Sequence, residues 1–121
     1  MDIINMKTIA YQTIKSVTDI KLVTTNYPDT FTVYPTAIYS AEHKSHFRDS
    51  SMNELQTEWT ITVDIFKDQG SLTDITNKLI ALFSAMGFSN DVGDENLNGI
   101  SRVFIKFTGI VDNEMNRVYE N

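Results

Sequence analysis

The chain contains no cysteine, only two prolines and five glycines, and a single tryptophan among its 121 residues. The absence of cysteine excludes disulfides and thiolate metal ligands, so a small secreted fold held by disulfides is not expected. No apolar run approaches the roughly 20 residues that a helix needs to cross a bilayer, and the first residues lack the basic start and apolar core of a signal peptide. We therefore expect one globular domain over residues 1–121, synthesised in the cytoplasm.

Positive charge is also scarce. Ten lysines and arginines stand against sixteen acids, which gives a formal net charge of −6, and the basic residues are scattered along the sequence. Because tight binding to a nucleic-acid backbone needs clustered basic side chains, the composition argues against a nucleic-acid-binding protein. The remaining composition, 41% hydrophobic and 21% charged, is typical of a soluble globular domain.

The two histidines, His43 and His46, lie three residues apart. On a helix this spacing would present two imidazoles to one zinc ion or supply a general base, but the surrounding segment lacks helical periodicity, which favours a solvated surface. No nucleophile elbow, P-loop or dinucleotide motif is present. The acidic segment that starts at Asp91 fails the EF-hand pattern because its twelfth residue is Arg102. We expect no enzymatic activity, no cofactor and no bound metal.

Hydrophobic periodicity predicts two helices. Apolar residues recur at helical spacing from about residue 3 to about residue 17. A clearer helix is predicted over residues 71–86, with Ser71 as its N-cap. Gly87 is expected to adopt the left-handed conformation after the last turn, and Phe88 to supply the apolar residue that follows it.

Two strands have a strict alternation of apolar and polar residues. Residues 57–67 place Trp59 and Ile61 on one face and Thr60 and Thr62 on the other, which indicates one buried face and one that meets water or a partner. Residues 102–111 alternate in the same way, so two phenylalanines three positions apart, Phe104 and Phe107, are predicted on opposite faces.

The rest of the chain has weaker patterns. Short strands are predicted over residues 20–23, 31–39 and 117–119, with Pro35 marking a bend or an edge in the second of these. The polar residues 40–54 and the acidic residues 89–98 are interpreted as loops.

These patterns predict a single α+β domain in which two helices pack on a mixed or antiparallel sheet of about four strands. The central strands are expected to be 59–67 and 102–111. A helix or a neighbouring subunit is expected to cover the second sheet face, which carries Thr60, Thr62, Phe66 and Thr108. The expected core comprises Ile9, Ile61, Val63, Ile65, Leu72, Ile75, Leu79, Leu82, Phe83, Val103 and Ile105.

Four segments follow one another in a distinctive order: YPTAIYSAEH (34–43), WTITVDIFK (59–67), SLTDITNKLIALFSAMGF (71–88) and RVFIKFTGIVDNEMNRVY (102–119). With the N-terminal helix, this order resembles the tail-completion or tail-terminator proteins of long-tailed bacteriophages (siphophages), also called tail-to-head joining proteins. The resemblance covers nearly the whole chain and consists of fold and hydrophobicity patterns with few fixed residues.

The resemblance implies a structural role without catalysis. Such proteins cap the growing tail tube as a ring, usually of six subunits, stop its polymerisation and join the tail to the head connector, and DNA later passes through the ring without specific binding. The implied partners are copies of the chain itself, the tail-tube protein and the head-connector protein, with no membrane. The implied location is the head-proximal end of the virion tail, after assembly in the host cytoplasm.

Contact residues are expected mainly in the polar segment 40–54, because loops and sheet edges make many contacts in this family. The candidate interface residues are His43, Lys44, His46, Phe47, Arg48, Thr60, Thr62, Arg117 and Tyr119.

Two other functions stay open. A regulatory or adaptor domain would bind a small ligand between the sheet and the helices, and would need a deep apolar pocket there. A small metal-dependent enzyme would use His43 and His46 and would carry zinc.

Overall fold

The computed structural model describes residues 4–51, 54–68, 70–97, 99–113 and 117–120, with the backbone alone at 95–97 and 117–120. The predicted α+β class, with two helices on a mixed sheet, is confirmed, and the sheet has six strands within these residues. Along the chain the elements are α1 (Met6–Lys15), β1 (Leu22–Thr24), β2 (Thr36–Arg48), β3 (Glu54–Lys67), α2 (Thr73–Ala85), β4 (Ser89–Leu97), β5 (Ile100–Asp112) and β6 (Arg117–Glu120).

The strand order is β1-β2-β3-β5-β4, with β1 parallel to β2 and every other pair antiparallel. β3 and β5 are the central strands, as predicted. β6 pairs with residues 109–112 of β5, beyond the stretch that pairs with β4. Because β3 occupies the opposite edge of β5 from Ser101 to Asp112, β6 lies on the same edge as β4 and continues its line.

Both helices pack on one face of the sheet and form one hydrophobic core with it. The rings of Phe83 in α2 and Phe107 in β5 stack with centroids 4.2 Å apart at the centre of this core. Fully burying a side chain of this size contributes about 1.5–3 kcal/mol. The remaining buried members include Met6, Ala10, Ile14, Tyr39, Trp59, Ile61, Val63, Ile65, Leu72, Ile75, Leu79, Phe88, Ile105 and Val111.

Most of the predicted core is buried, and one predicted member is wrong. Leu82 is 38% exposed, because it lies beside the sheet-facing stripe of α2 and lines a shallow groove between the helices with Ile9 and Met86. Thr76, six residues earlier in α2, is buried instead. Ile9 and Val103 are half-buried at the margin of the core.

The end of α2 follows the prediction closely. Gly87 has a φ of 98°, and its N–H donates to the carbonyl of Ser84 at 2.9 Å. The N–H of Phe88 donates to the carbonyl of Phe83 at 3.0 Å, and the two rings meet edge to face at 5.9 Å. These bonds and the apolar contact form a complete Schellman motif.

The helix starts differ slightly from the prediction. Asn5 caps α1, since its side chain accepts a hydrogen bond from the N–H of Lys7 at 3.1 Å. α2 begins at Thr73, and Leu72 rather than Ser71 is its N-cap residue. The Ser71 hydroxyl still accepts a hydrogen bond from the N–H of Thr73 at 3.1 Å, so it satisfies a donor of the first turn.

Two segments predicted as loops are strands. β2 continues through Arg48 and pairs with β3 as far as Glu54, so most of the polar segment 40–54 belongs to a hairpin. Residues 89–97 form β4. Both strands lie at the margins of the sheet, where solvent reaches both sides of the strand, so they lack the alternation that identifies a half-buried strand.

Residues 31–34 were predicted as strand and are not, since β2 begins at Thr36. The ring of Phe31 packs against the sheet instead: it lies 4.8 Å from that of Phe66 and stacks at 5.9 Å on that of Tyr34, while Val33 is exposed. No helix of the described residues is long and apolar enough to span a membrane.

Candidate functional site

The far end of β2 is the most exposed part of a regular element in the structure. Residues 40–48, called the β2 arm below, are exposed except for the half-buried Ala41. Ser45 pairs with Thr57 and Phe47 with Gln56, so His46 has no partner on β3 and forms a bulge. The Phe47 side chain is 53% exposed. Bulges at sheet margins redirect side chains and are common next to functional sites.

The charges of the β2 arm are held by its neighbour strand. Lys44 Nζ lies 3.5 Å from Glu58 Oε1, and Arg48 Nη2 lies 3.2 Å from Glu54 Oε1. The Lys44 pair is largely solvated and contributes little to stability, whereas the Glu54 carboxylate that pairs with Arg48 is only 9% exposed. The two ion pairs hold the basic groups of Lys44 and Arg48 on one short stretch that faces solvent.

The strand opposite the β2 arm is anchored by Asn113. Its amide nitrogen donates to the carbonyl of Glu54 at 3.2 Å and to the hydroxyl of Thr57 at 2.9 Å. Its backbone N–H donates to the carbonyl of Leu55 at 2.9 Å, and its side-chain oxygen accepts from the N–H of Ile4 at 3.0 Å. This buried amide ties the chain before α1 and the end of β5 to the start of β3.

The sheet face opposite the helices is covered at one end. Asp64 has a side chain only 5% exposed, and Arg102 donates to both of its carboxylate oxygens at 2.8 Å. The hydroxyl of Tyr27 donates to the same carboxylate at 2.5 Å, and this hydrogen bond raises the pKa of Tyr27. The Arg102 guanidinium also lies over the rings of Phe66 and Phe104.

At this end, the second sheet face is covered by another segment of the same chain. Residues 25–35, with Tyr27 and Phe31, lie over Asp64 and Phe66. Further along β3, Thr60 and Thr62 are half-buried, and Thr60 borders a shallow polar depression shared with the β2 arm. Among the described residues, no helix covers this face.

Gly93 in β4 has a packing role. It pairs with Phe104, whose ring lies directly over it, so a Cβ at this position would stand 2.2 Å from the ring. The exposed ring therefore covers bare backbone on one side and contacts Arg102 on the other.

A groove that the sequence did not predict runs between α2 and β4. Its volume is about 510 Å³, and its lining includes Leu72, Val92, Val103 and Asp94. Thr76 also lines it and is only 8% exposed, yet its hydroxyl has no hydrogen-bond partner in the described structure. The available signal was that Thr76 stands four residues after Leu72 and three before Leu79, a spacing that places it on the apolar face of α2.

The predicted interface residues fall into three groups. His43, Lys44, His46, Phe47 and Arg48 lie together on the β2 arm, with the His43 ring 4.5 Å from that of Trp59. Thr60 and Thr62 lie on the partly open sheet face. For Arg117 and Tyr119 the structure gives only the backbone of β6, so the contacts predicted for them lie outside the described side chains.

The zinc hypothesis depended on a helix that would bring His43 and His46 together, and the structure has no helix there. His43 and His46 lie on a bulged strand, so helical spacing does not bring their imidazoles to one face. Across the described part of the chain, no three histidine, cysteine, aspartate or glutamate side chains are placed to hold a metal ion.

No protein-family profile matches the sequence, and no curated protein matches it.

Proposed function

We propose that this chain is a structural tail-completion protein of a long-tailed bacteriophage. It assembles with copies of itself into a ring, caps the tail tube, terminates tube polymerisation and joins the tail to the head connector. The observation that carries the proposal is the β2 arm, a regular strand whose side chains are exposed to solvent over most of its length.

The edges of the sheet support self-assembly. β1 pairs only with residues 36–38 of β2, so within the described residues the outer edge of the β2 arm has no paired strand. The outer edge of β4, on the opposite side of the sheet, has none there either. Unpaired edges are templates for contact with another chain. Contacts between two different edges are heterologous, and heterologous contacts generate rings when the rotation closes.

The charge of the chain suits a ring through which DNA passes. Each copy carries a formal net charge of −6, so a ring of six would carry about −36 before counterions bind. An acidic ring repels phosphates, which lets DNA slide instead of adhering to the wall.

The test is capping of tail tubes. Purified protein is mixed with tubes polymerised from tail-tube protein, and tube lengths and end occupancy are measured by electron microscopy. We expect density at one end of each tube and shorter, more uniform tubes. Lys44→Glu on the β2 arm should reduce capping at least about tenfold if the arm makes contacts. The control Lys7→Glu, an exposed charge reversal on α1, should cap normally.

Tubes that keep their full length distribution and bare ends at saturating wild-type protein would refute the proposal. Equal capping by the Lys44→Glu and Lys7→Glu variants would show that the β2 arm makes no contact needed for capping.

A further inference from the structure

We propose that adjacent copies in the assembly meet by insertion: the end of the β2 arm, led by Phe47, seats in the groove between α2 and β4 of the next copy. This inference deepens the proposed function and rests on it, because it names the contact by which a ring would form.

The groove has the properties of an unfilled receptor. It combines an apolar floor from Leu72 and Val103 with Val92, a valine that is 43% exposed. Burying such a surface is favourable by about 25 cal/mol per Å². The Thr76 hydroxyl, buried without a hydrogen-bond partner, is costly to leave unmet.

The end of the β2 arm has the complementary properties. Phe47 presents an aromatic ring to solvent on a bulged strand, and exposed aromatics that enter a partner's pocket are typical binding hot spots. Residues 43–48 carry two positive charges, Lys44 and Arg48, and no acid. The groove is bordered by the exposed carboxylate of Asp94 and by Arg102, whose charge is met by Asp64. Lys44, although paired with Glu58, is 75% exposed, so Asp94 and Lys44 are the opposite charges that the two surfaces offer each other.

The two surfaces cannot meet within one copy. Phe47 pairs with Gln56 at one end of β3, whereas Ser101, in the groove, pairs with Lys67 at the other end. Eleven residues of strand separate these positions, which corresponds to roughly 35 Å. The β2 arm and the groove also lie toward opposite edges of the sheet, because β3 and β5 separate β2 from β4. An arm that seats in the groove therefore belongs to a second copy, in a head-to-tail contact of the kind that closes rings.

The absence of cysteine makes the contact testable by directed cross-linking. Phe47→Cys and Val92→Cys are prepared as two single variants, mixed, and oxidised under mild conditions with and without tail tubes. We expect a disulfide-linked dimer in the mixture at least about ten times more abundant than in either variant alone. The matched control replaces Val92→Cys by Leu22→Cys, since Leu22 on β1 is 40% exposed.

A chain that carries both Phe47→Cys and Val92→Cys should give a ladder of linked species that ends at the ring size. Phe47→Ala should weaken self-association at least about tenfold, while Leu22→Ala should leave it unchanged. Melting temperatures of all variants should stay near that of the wild type, because all three positions are exposed.

The outcomes separate the two proposals. If wild-type protein caps tubes but Phe47→Cys links to Leu22→Cys as readily as to Val92→Cys, or to neither, the insertion is wrong and the ring function stands. If the doubly substituted chain yields linked dimers and nothing larger, the contact is reciprocal and closes no ring. If wild-type protein neither caps tubes nor self-associates, the function itself fails.

Discussion

β2 and β3 are neighbouring strands of 13 and 14 residues that pair along almost their whole length, yet their surroundings differ. β3 has no exposed residue from Glu54 to Lys67, while β2 is buried only over its first four residues. The difference follows from position. β3 lies between β2 and β5, with the helices on one face and residues 25–35 over part of the other, whereas β2 has a further neighbour only where β1 reaches it.

The comparison shows that strand formation and burial are separate properties. Hydrogen bonding to β3 is enough to hold the β2 arm as a strand. Hydrophobic alternation is needed only where a face is covered. The polar composition of the arm therefore describes its exposed surroundings and not its backbone conformation, and it leaves the arm free to meet another molecule.

The largest predicted effect comes from truncating the buried side of β3. Ile61 is fully buried, so Ile61→Ala should lower the free energy of unfolding by about 4 kcal/mol. The contrast is Phe47→Ala on the β2 arm, which should change it by less than about 0.5 kcal/mol. Urea unfolding of both variants measures this, and comparable losses would contradict the distinction between the two strands.

The next effect concerns the charges of the two strands. Asp64→Asn should cost about 3 kcal/mol, because it leaves the Arg102 guanidinium without the carboxylate that it grips with two hydrogen bonds. Lys44→Gln on the β2 arm should cost less than about 1 kcal/mol, since its ion pair is solvated. Thermal unfolding of the two variants measures the two costs. Equal costs would contradict the conclusion that the Asp64–Arg102 pair is shielded from solvent.

A smaller effect is expected where β3 is anchored. Asn113→Ala removes the side-chain hydrogen bonds to the Thr57 hydroxyl, to the Glu54 carbonyl and to the N–H of Ile4, and should cost about 2 kcal/mol. Ser45→Ala, at the position on β2 that pairs with Thr57, should be nearly neutral. Hydrogen exchange should show faster exchange at the start of β3 in the first variant only. Unchanged hydrogen exchange at the start of β3 would show that Asn113 does not anchor this strand.

The smallest effect is a dependence on alkaline pH. The hydrogen bond to Asp64 raises the pKa of Tyr27, and burial raises the pKa of Tyr39. The stability that each contributes is present below the ordinary tyrosine pKa of about 10 and is lost as pH rises through the raised folded-state value. Tyr27→Phe should therefore show a smaller fall in melting temperature above about pH 10 than wild type. An identical fall would exclude the Tyr27 contribution.

Much of the fold could be predicted from sequence where local and tertiary preferences agree. The C-terminal cap of α2 was predicted residue by residue, because a left-handed glycine followed by an aromatic is a local requirement. The alternation of β5 correctly placed Phe104 and Phe107 on opposite faces, and the structure shows Phe107 to be the buried one. The prediction that Leu82 is buried was wrong, because periodicity identifies a helix face only approximately and the sheet contacts a narrower stripe.

The candidate site divides in the same way. The exposed and charged character of residues 43–48 was visible in the sequence, and those residues do lie together. Their strand conformation was missed, because an edge strand in solvent has no apolar period to detect. The groove beside Thr76 was missed because it forms between α2 and two strands, β4 and β5, whose groove-lining residues lie 16 or more residues beyond Thr76 in the chain.

The sequence by itself determined the α+β class, the two helices, the central strands and the acidic, cysteine-free character of the chain, because each is encoded in composition or in short-range spacing. The tertiary structure decided which strands lie at the edges and which end of the open face is covered. It also decided that the exposed Phe47 and the groove between α2 and β4 lie far apart on one molecule. These depend on pairings between residues distant in sequence, whose outcome is set by the packing of the whole sheet and not by any local preference.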